Sequence, residues 1–520
     1  MKRSVFILIA LLMVSAIMIP ACGKGTPTPP PPPTEEPQYG GIMRCAFTFG
    51  PRILGYFPEF GFTDGATAWY YAESMLNVDE KGNLIPELAT SWDVDATNKT
   101  ITWHLRQGVK FHDGTDWNAE AAKWTYDKTI EAGKLQSGNL ITSIEVIDDY
   151  TLRFNLTQFS NRLLMSYGYM VFFFSPTAFE TNGGKEWART HPVGTGPFKV
   201  TEFKRDAYIK MEKNTDYWRP NRPYLDGVDI RMIPQELTGA ASMEAGEIDY
   251  WQSATTATMI LEMRDKGYKD EISGLTLGFL MPDAANPDSP FADKRVREAV
   301  EYAIDRPTMV QALSLGLSAP SFQLAVSISS VYDPDYKGRP YDPEKAKKLL
   351  ADAGYPDGCP ISLFAIQMGT MDQATALKNY LDAGGFVTKI EGMDMGRFMT
   401  MQSDGWKNGL MSGLVFAPQP NFTSSFLQAL GPTPTSPVYP SFLRTPEYQA
   451  LCEQANSAYD LKTEEALVKK MIKLIAEDAT IIPTTEGNFR PIMQTWVHPM
   501  KDKESGIVRF TMSEWWMEPH

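Results

Sequence analysis

The N-terminal region constrains this chain most, because it separates a leader and a tether from the part that can fold. Lys2 and Arg3 precede an apolar run over residues 5–19, and residues 23–38 read GKGTPTPPPPPTEEPQ. A short basic region, an apolar stretch too short to span a bilayer comfortably and a small residue before a cleavage point are typical of an export signal. The folded body is therefore predicted to begin near residue 39 and to lie outside the cytoplasm.

The position of Cys22 refines this prediction. With Ala21 before the cut and Cys22 after it, the leader resembles a bacterial lipoprotein signal, which implies that Cys22 becomes the lipidated N-terminus. The proline-rich tract would then be a semi-rigid polyproline spacer that holds the body away from the membrane. The alternatives are a plain secretory signal with an incidental cysteine, or a membrane-anchoring helix. We expect a lipid anchor on the outer face of the cytoplasmic membrane or in the periplasm.

Charge and cysteine content exclude several function classes. The net charge is −14, and an acidic protein repels phosphate backbones, so nucleic-acid binding is not expected. No second apolar segment reaches the ~20 residues of a transmembrane helix. Cys22, Cys45, Cys359 and Cys452 form no CxxC pair, and the five histidines are scattered, so neither a metal site nor a disulfide framework is predicted. A Cys359–Cys452 bond stays open.

Hydrophobic periodicity indicates an α/β protein with enough apolar residues for two or three domains. Residues 100–106 and 151–157 alternate between apolar and polar side chains, as half-buried strands do. Residues 296–304 change to helical spacing. Asp342 and Pro343 supply a cap and a first-turn proline for another helix, which Gly354 closes. Strands and helices are interleaved, which favours α/β layers.

Motifs for catalysis are absent from the sequence. It has no P-loop, GxSxG elbow, HExxH or complete GxGxxG. The segment GTGP at 194–197 contains Pro197, which removes a backbone donor that a phosphate cradle would use. The sequence His112-Asp113-Gly114 is first of all a turn signal. No nucleophile, general base or cofactor is predicted, and the chain is not expected to be an enzyme.

Blocks spread along the whole exported body nevertheless form a recognisable set. They are DEKGNLIPELATSW at 79–92, ITWHLRQGVKFHDG at 101–114, HPVGTGPF at 191–198 with NTDYW at 214–218, GEID at 246–249, DKRVREA at 293–299, and YDPEKA at 341–346 with LLADAGYP at 349–356. In this order they resemble the family 5 solute-binding proteins of ABC transporters, extracytoplasmic receptors for oligopeptides, dipeptides, nickel complexes and some sugars. We refer to them below as the signature blocks.

The resemblance implies a two-lobed, periplasmic-binding-protein-like fold of the large class II form. Two α/β lobes joined by hinge strands would close on a solute, and a smaller subdomain would be inserted in the first lobe. It also implies ABC permease subunits as partners and a monomer. The predicted division is 1–21 signal, 22–38 tether, 39–76 with 190–275 and 483–520 for lobe 1, 77–189 for the inserted subdomain, and 276–482 for lobe 2.

The resemblance also locates a ligand segment in the second lobe. Peptide-binding members carry an acidic residue there that pairs with the free amino terminus of the peptide. The matching stretch, FAPQPNFTSSFL at 416–427, has Pro418 at that position. Because proline cannot pair with an ammonium group, we expect ligands without a free-amine anchor, such as oligosaccharides or capped peptides.

The candidate ligand-binding residues are mostly aromatic or amide side chains, which suit an uncharged, partly apolar solute. Each aromatic could equally belong to a core, and Arg52, which could meet a carboxylate, could be an ordinary surface residue. The candidates are Arg52, Trp251, Gln252, Trp406, Phe416, Gln419 and Asn421.

Two other functions remain open from the residues. One is a ligand-sensing lipoprotein of the same fold, which would have a histidine kinase or chemoreceptor encoded beside it. The other is an exported hydrolase, which would turn over what it binds. The sequence does not identify the ligand.

Overall fold

A computed structural model describes residues 36–79, 83–252, 256–367, 371–416, 422–431, 439–501, 508 and 512–520. Cys22, Pro418, Gln419 and Asn421 lie outside these ranges, and so does the side chain of Phe416. Residues 38–520 form one compact unit.

The strands of the described residues build two large mixed sheets, a smaller antiparallel sheet and two short two-stranded antiparallel sheets. In chain order they are β1 Ile42–Phe47, β2 Leu76–Val78, β3 Leu84–Pro86, β4 Ala89–Asp95, β5 Thr100–Leu105, β6 Ile141–Asp148, β7 Thr151–Leu156, β8 Phe198–Lys204, β9 Tyr208–Lys213, β10 Gly227–Met232, β11 Tyr250–Trp251, β12 Lys269–Asp270, β13 Gly274–Pro282, β14 Ala319–Pro320, β15 Cys359–Ile366, β16 Phe386–Met393, β17 Gly409–Phe416, β18 Ile482–Phe489, β19 Ile492–Met493, β20 Val497–His498 and β21 Trp516–Met517.

The helices pack on these sheets. In chain order they are α1 Phe62–Ala68, α2 Ala119–Glu131, α3 Arg162–Leu164, α4 Pro176–Thr181, α5 Gly184–Ala188, α6 Glu236–Glu244, α7 Ala257–Asp265, α8 Lys294–Ala303, α9 Arg306–Ser314, α10 Pro343–Asp352, α11 Met371–Ala383, α12 Met395–Asp404, α13 Phe422–Leu430, α14 Pro446–Asn456 and α15 Leu461–Asp478. A π-helical turn over Met165–Tyr169 follows α3.

The first large sheet has the strand order β12-β19-β11-β1-β10-β9-β8. Its centre, β1, pairs in parallel with β10 and β11. Met43, Cys45 and Phe47 alternate along β1 into one core, whereas Ala46 faces a second core on the opposite side. Both faces of this sheet are therefore covered.

The second large sheet has the order β14-β18-β13-β17-β15-β16. Its central strand β13 is apolar almost throughout because two cores cover it, as expected for a strand buried on both faces. Leu277 and Phe279 face the core that contains α13, α14 and α15, and Leu280 faces the core that contains α8, α10 and α11. The border predicted at residue 483 needs correction, since β18 pairs with β13 along its length and belongs to this sheet.

The smaller sheet has the antiparallel order β4-β5-β7-β6, with α2 packed on it. The predicted alternation is confirmed in both central strands. Trp103 in β5 and Phe154 in β7 are fully buried and contact each other edge to face, with ring centroids 6.3 Å apart. The cap predicted for α10 is also confirmed, because Asp342 accepts a hydrogen bond from the backbone of Lys345.

Cys45, Cys359 and Cys452 are buried free thiols that belong to three different cores. A Cys359–Cys452 bond is not formed, because these two residues belong to the cores on opposite faces of the second sheet. No helix in the described ranges combines the length and the apolar character needed to cross a bilayer.

Candidate functional site

Four of the signature blocks, those at 79–92, 101–114, 191–198 and 214–218, meet in a buried junction between the smaller sheet and the first large sheet. At its centre Glu73 accepts hydrogen bonds from Thr195 Oγ1 at 2.8 Å, Tyr217 OH at 2.7 Å and Trp218 Nε1 at 2.9 Å. Burial, reinforced by the charge of Glu87, raises the pKa of Glu73 to about 8. A carboxyl that accepts three donors from distant segments joins those segments.

Charged groups complete the same junction around one indole ring. Two guanidinium groups lie over the Trp218 ring, that of Arg106 4.3 Å and that of Arg219 4.8 Å from the ring centroid. Arg219 pairs with the buried carboxylate of Glu87, and Arg106 Nε donates to the backbone oxygen of Glu87 at 2.9 Å. Cation–π contacts and ion pairs of this kind are strongest where water is excluded.

The histidine of the block at 101–114 also serves this junction. His112 donates its backbone N–H to Gly194 O at 2.8 Å and its Nε2–H to Gly196 O at 3.0 Å. Part of the residue surface stays exposed, but Nδ1 is enclosed, and burial lowers the pKa of His112 to about 4. A Cβ at Gly194 would lie 2.1 Å from Tyr71 O, so this turn needs glycine for close packing. These four blocks therefore build the frame of the protein at this junction.

A small pocket, which in this conformation has room for about one water molecule, lies elsewhere, between the π-helical turn and α13. One wall comes from the chain around the turn, and the other comes from α13, which overlaps the predicted ligand segment 416–427. The lining residues are Gln136, Arg162, Met165, Ser166, Met170, Ser424, Ser425 and Gln428. Apart from Arg162, which donates to Asn456 Oδ1, the lining consists of neutral polar and methionine side chains.

The π-helical turn is held by its neighbours. Tyr167 OH donates to Ser137 O at 2.8 Å, and Tyr126 OH donates to Tyr167 O at 2.6 Å. A Cβ at Gly168 would lie 2.6 Å from Leu76 Cδ1 and 3.1 Å from Trp103, so glycine lets the turn pack on the smaller sheet. π-Helical turns are rare and occur frequently at functional sites.

Direct contacts join the two sides of the pocket. Buried Glu464 accepts from Asn161 Nδ2 at 3.1 Å and from Thr423 Oγ1 in α13. Burial raises the pKa of Glu464. The backbone N–H of Asn161 donates to Ala458 O at 2.8 Å. In this structure, hydrogen bonds therefore join the two sides of the pocket directly.

The described candidate residues that were predicted from the sequence do not line this pocket. Trp251 is 1% exposed and packs on Gly239, where a Cβ would lie 2.6 Å from the indole. Trp406 is 6% exposed, and its Nε1 donates to Gly409 O at 3.2 Å. The structure therefore places both rings in hydrophobic cores and not at an open surface. Gln252 is partly exposed beside β11, and the exposed guanidinium of Arg52 pairs with Asp64 at 3.0 Å.

The sequence analysis named the segment 416–427, which contains Ser425, but selected neither Ser425 nor Gln428 as a candidate. It also missed the opposite wall, because the turn sequence MSYGY carries no motif. A signal was nevertheless present, since Gly168 and the polar Ser166 interrupt an otherwise apolar stretch.

Comparison with known proteins identifies the fold and the family resemblance. Residues 83–434 match the family described as bacterial extracellular solute-binding proteins, family 5 Middle. The glutathione-binding protein GsiB of Shigella flexneri serotype 5b is 32% identical over 355 residues, which are 63% of this chain and 67% of that protein. GsiB of Escherichia coli K12 is also 32% identical, over 354 residues with the same shares.

Solved structures of two-lobed periplasmic binding proteins share the fold. The DppA protein of Helicobacter pylori in complex with the peptide STSA has a TM-score of 0.78 at 24% identity, with 93% of this chain and 99% of that chain covered. NikA of Brucella suis in complex with Fe(III)-EDTA has a TM-score of 0.79 at 24% identity, with 91% and 100% covered. The predicted α/β fold class and the resemblance drawn from the signature blocks are confirmed.

Proposed function

Because this chain belongs to family 5 of the bacterial extracellular solute-binding proteins, which capture a small solute and deliver it to an ABC permease, we propose that its solute binds between the π-helical turn and α13. The observation that carries this proposal is that the pocket takes its walls from two parts of the chain far apart in sequence. A solute that touches both walls is held only when they are close together. Binding therefore favours the closed arrangement of the lobes.

The energetic requirement for such closure is modest. A shift from almost entirely open to almost entirely closed needs about 5 kcal/mol of preference for the closed state. Asn161, Thr423 and Glu464 supply contacts across the two sides that add to those made by the solute. A receptor that closes around its solute gives the permease a shape to recognise.

The solute is proposed to be peptide-like or an oligosaccharide. The relatives of 32% identity bind glutathione, a small peptide. The pocket lining offers hydroxyl and amide groups, which are donors and acceptors for a neutral polar solute. Pro418 at the expected amine-anchoring position favours a solute that does not depend on a free amino terminus.

The cellular setting of the proposal follows from the leader. Cys22 carries the lipid, the proline-rich tract holds the body at the membrane surface, and a monomer presents the solute to permease subunits. The solute leaves the pocket chemically unchanged, since no catalytic step belongs to this function. Replacement of Cys22 by serine is expected to release the protein from the membrane fraction, and retention there would contradict the lipid anchor.

The central test measures binding in variants of the pocket. A thermal-shift panel of glutathione, unmodified and capped peptides, oligosaccharides and nickel chelates is applied first. A solute at a hundred times its Kd adds about 2.7 kcal/mol of stability, which is readily measured. Ser425→Trp, which fills the pocket, is expected to weaken binding of the best solute at least tenfold, and Gln428→Ala by a smaller factor.

Gln311→Ala is the matched control, because Gln311 is an exposed glutamine on α9 outside the pocket. It is expected to leave both affinity and stability unchanged. Unchanged affinity in Ser425→Trp would place the solute away from α13 and contradict the proposed site.

A further inference from the structure

Partly exposed aromatic side chains cluster around the buried Phe172 in the part of the chain next to the pocket. We define the aromatic wall as Phe57, Phe60, Trp69 and Tyr169, with Phe172 behind them. The Trp69 ring lies 5.2 Å from Tyr169 and meets Phe172 edge-on at 4.6 Å. Phe60 lies 5.7 Å from Phe57 and 6.4 Å from Phe172, measured between ring centroids.

The wall is neither core nor isolated surface. Phe172 is buried, but Phe57, Phe60, Trp69 and Tyr169 each keep part of the ring surface in solvent. A contiguous apolar surface of this kind on a soluble protein commonly marks a binding site. Rings fixed by their neighbours can also bind without losing much conformational freedom.

The wall adjoins the pocket along the chain. Tyr169 is the last residue of the π-helical turn, and the next residue, Met170, lines the pocket and is 37% exposed. The turn therefore presents polar groups such as Ser166 to the pocket and ends in the wall. A solute that fills the pocket and extends past Met170 would contact the rings.

Charges next to the wall are already paired within the protein. Arg52 binds Asp64 at 3.0 Å, and Glu59 binds Arg189 at 2.8 Å and also Lys185. The rings thus offer apolar faces without a neighbouring unpaired ion among these groups. Such a surface favours a flat and uncharged part of a solute.

We propose that the aromatic wall is a stacking subsite of the solute pocket and binds a flat, uncharged ring of the solute. The inference rests on the proposed function and deepens it by naming the chemistry of the solute. The ring is either a pyranose, which would stack through its C–H face, or the aromatic side chain of a capped peptide. Both have the flat apolar face that stacks on tryptophan and tyrosine.

The test uses probes in matched pairs, measured by calorimetry on the purified protein. Cellotriose is paired with sorbitol, and acetyl-phenylalanyl-leucine amide is paired with acetyl-alanyl-leucine amide. Glutathione and trialanine serve as unpaired probes without a ring. The expected result is that at least one ring-bearing probe binds at least tenfold more tightly than its ringless partner, and which pair shows this identifies the source of the ring.

Variants then connect that preference to the wall. Trp69→Ala and Tyr169→Ala are each expected to lower the affinity for the ring-bearing probe at least tenfold. Tyr169→Phe is expected to bind this probe as tightly as the wild type. Trp187→Ala is the control, since Trp187 is a partly exposed tryptophan that stacks on His191 away from the wall, with centroids 4.9 Å apart. Trp187→Ala is expected to bind the ring-bearing probe with unchanged affinity.

Each other outcome overturns the inference in a distinguishable way. Binding of only glutathione or trialanine would overturn the stacking subsite and leave the proposed function in place. Ring preference that survives both alanine variants would move the subsite to other residues. Absence of binding by every probe would count against both the inference and the proposed solute class.

Discussion

The buried junction of the signature blocks and the solute pocket are built in opposite ways. In the junction, Glu73, Arg219 and His112 each hydrogen-bond to residues on distant segments, and the contact of Glu73 with Thr195 is fully buried. In the pocket, Ser425 and Gln428 lie at or near the surface on one short helix. The junction fixes how two sheets meet, whereas the pocket leaves groups available to a solute.

This difference explains how a family can be recognised without its ligand. The blocks at 79–92, 101–114, 191–198 and 214–218 supply the residues of the junction, so they report the frame. A substitution in the pocket would change which solute is bound without disturbing any of these contacts. Motif recognition therefore establishes the fold and the function class, while under the proposed function the solute depends on side chains outside these four blocks.

The largest expected contrast between frame and pocket concerns two tryptophans. Trp251→Ala should cost about 4 kcal/mol of unfolding free energy, because it leaves a cavity in a core from which water is excluded. Trp69→Ala should cost about 1–2 kcal/mol, because its ring is partly in solvent already. Urea denaturation of both variants measures the difference. Equal losses would mean that the aromatic wall is part of the frame.

A pH titration of stability tests the junction itself. His112 has a pKa of about 4 in the folded chain against 6.5 when unfolded, so the unfolded chain binds a proton first on acidification. Its contribution to stability is full above pH 6.5 and is lost as the pH falls toward 4, by about 3 kcal/mol. His112→Gln keeps a donor for Gly196 O but does not titrate. The difference between wild type and His112→Gln should therefore change across this window, and parallel curves would contradict the assignment.

What could be predicted from the sequence follows from the range of the interactions. The alternation around Trp103 and the cap at Asp342 are local, so periodicity and cap chemistry predicted β5 and α10 correctly. The partners of Glu73 come from residues 195, 217 and 218, and no local pattern announces them. Residue type alone could not separate buried Trp251 from partly exposed Trp69, because close packing on Gly239 decides the burial of Trp251.

Gly168 connects the frame to the pocket, so its substitution should affect both. In Gly168→Ala the new Cβ would press on Leu76, and overpacking of this kind costs about 1–3 kcal/mol. Displacement of the turn should also weaken solute binding, measured by calorimetry on the best solute. Gly65→Ala is the control, because Gly65 lies in α1 with no atom within 4 Å of the new Cβ, and alanine there should add about 0.5–1 kcal/mol. A stability loss in Gly168→Ala without any loss of affinity would separate the turn from the pocket.

The smallest expected effect tests the remaining predicted contact, that of Arg52 with a solute carboxylate. Arg52→Ala should change the unfolding free energy by less than about 1 kcal/mol, because the guanidinium is largely exposed. The buried Asp64 keeps its hydrogen bonds from the backbone N–H groups of residue 52, at 2.6 Å, and of Gly61, at 2.7 Å. Affinity for neutral probes should be unchanged, and affinity for glutathione, which carries carboxylates, is the decisive measurement. A tenfold loss of affinity for glutathione alone would mean that Arg52 leaves Asp64 to bind the solute. The pocket would then include a charged group, and it would differ less from the ion-paired frame.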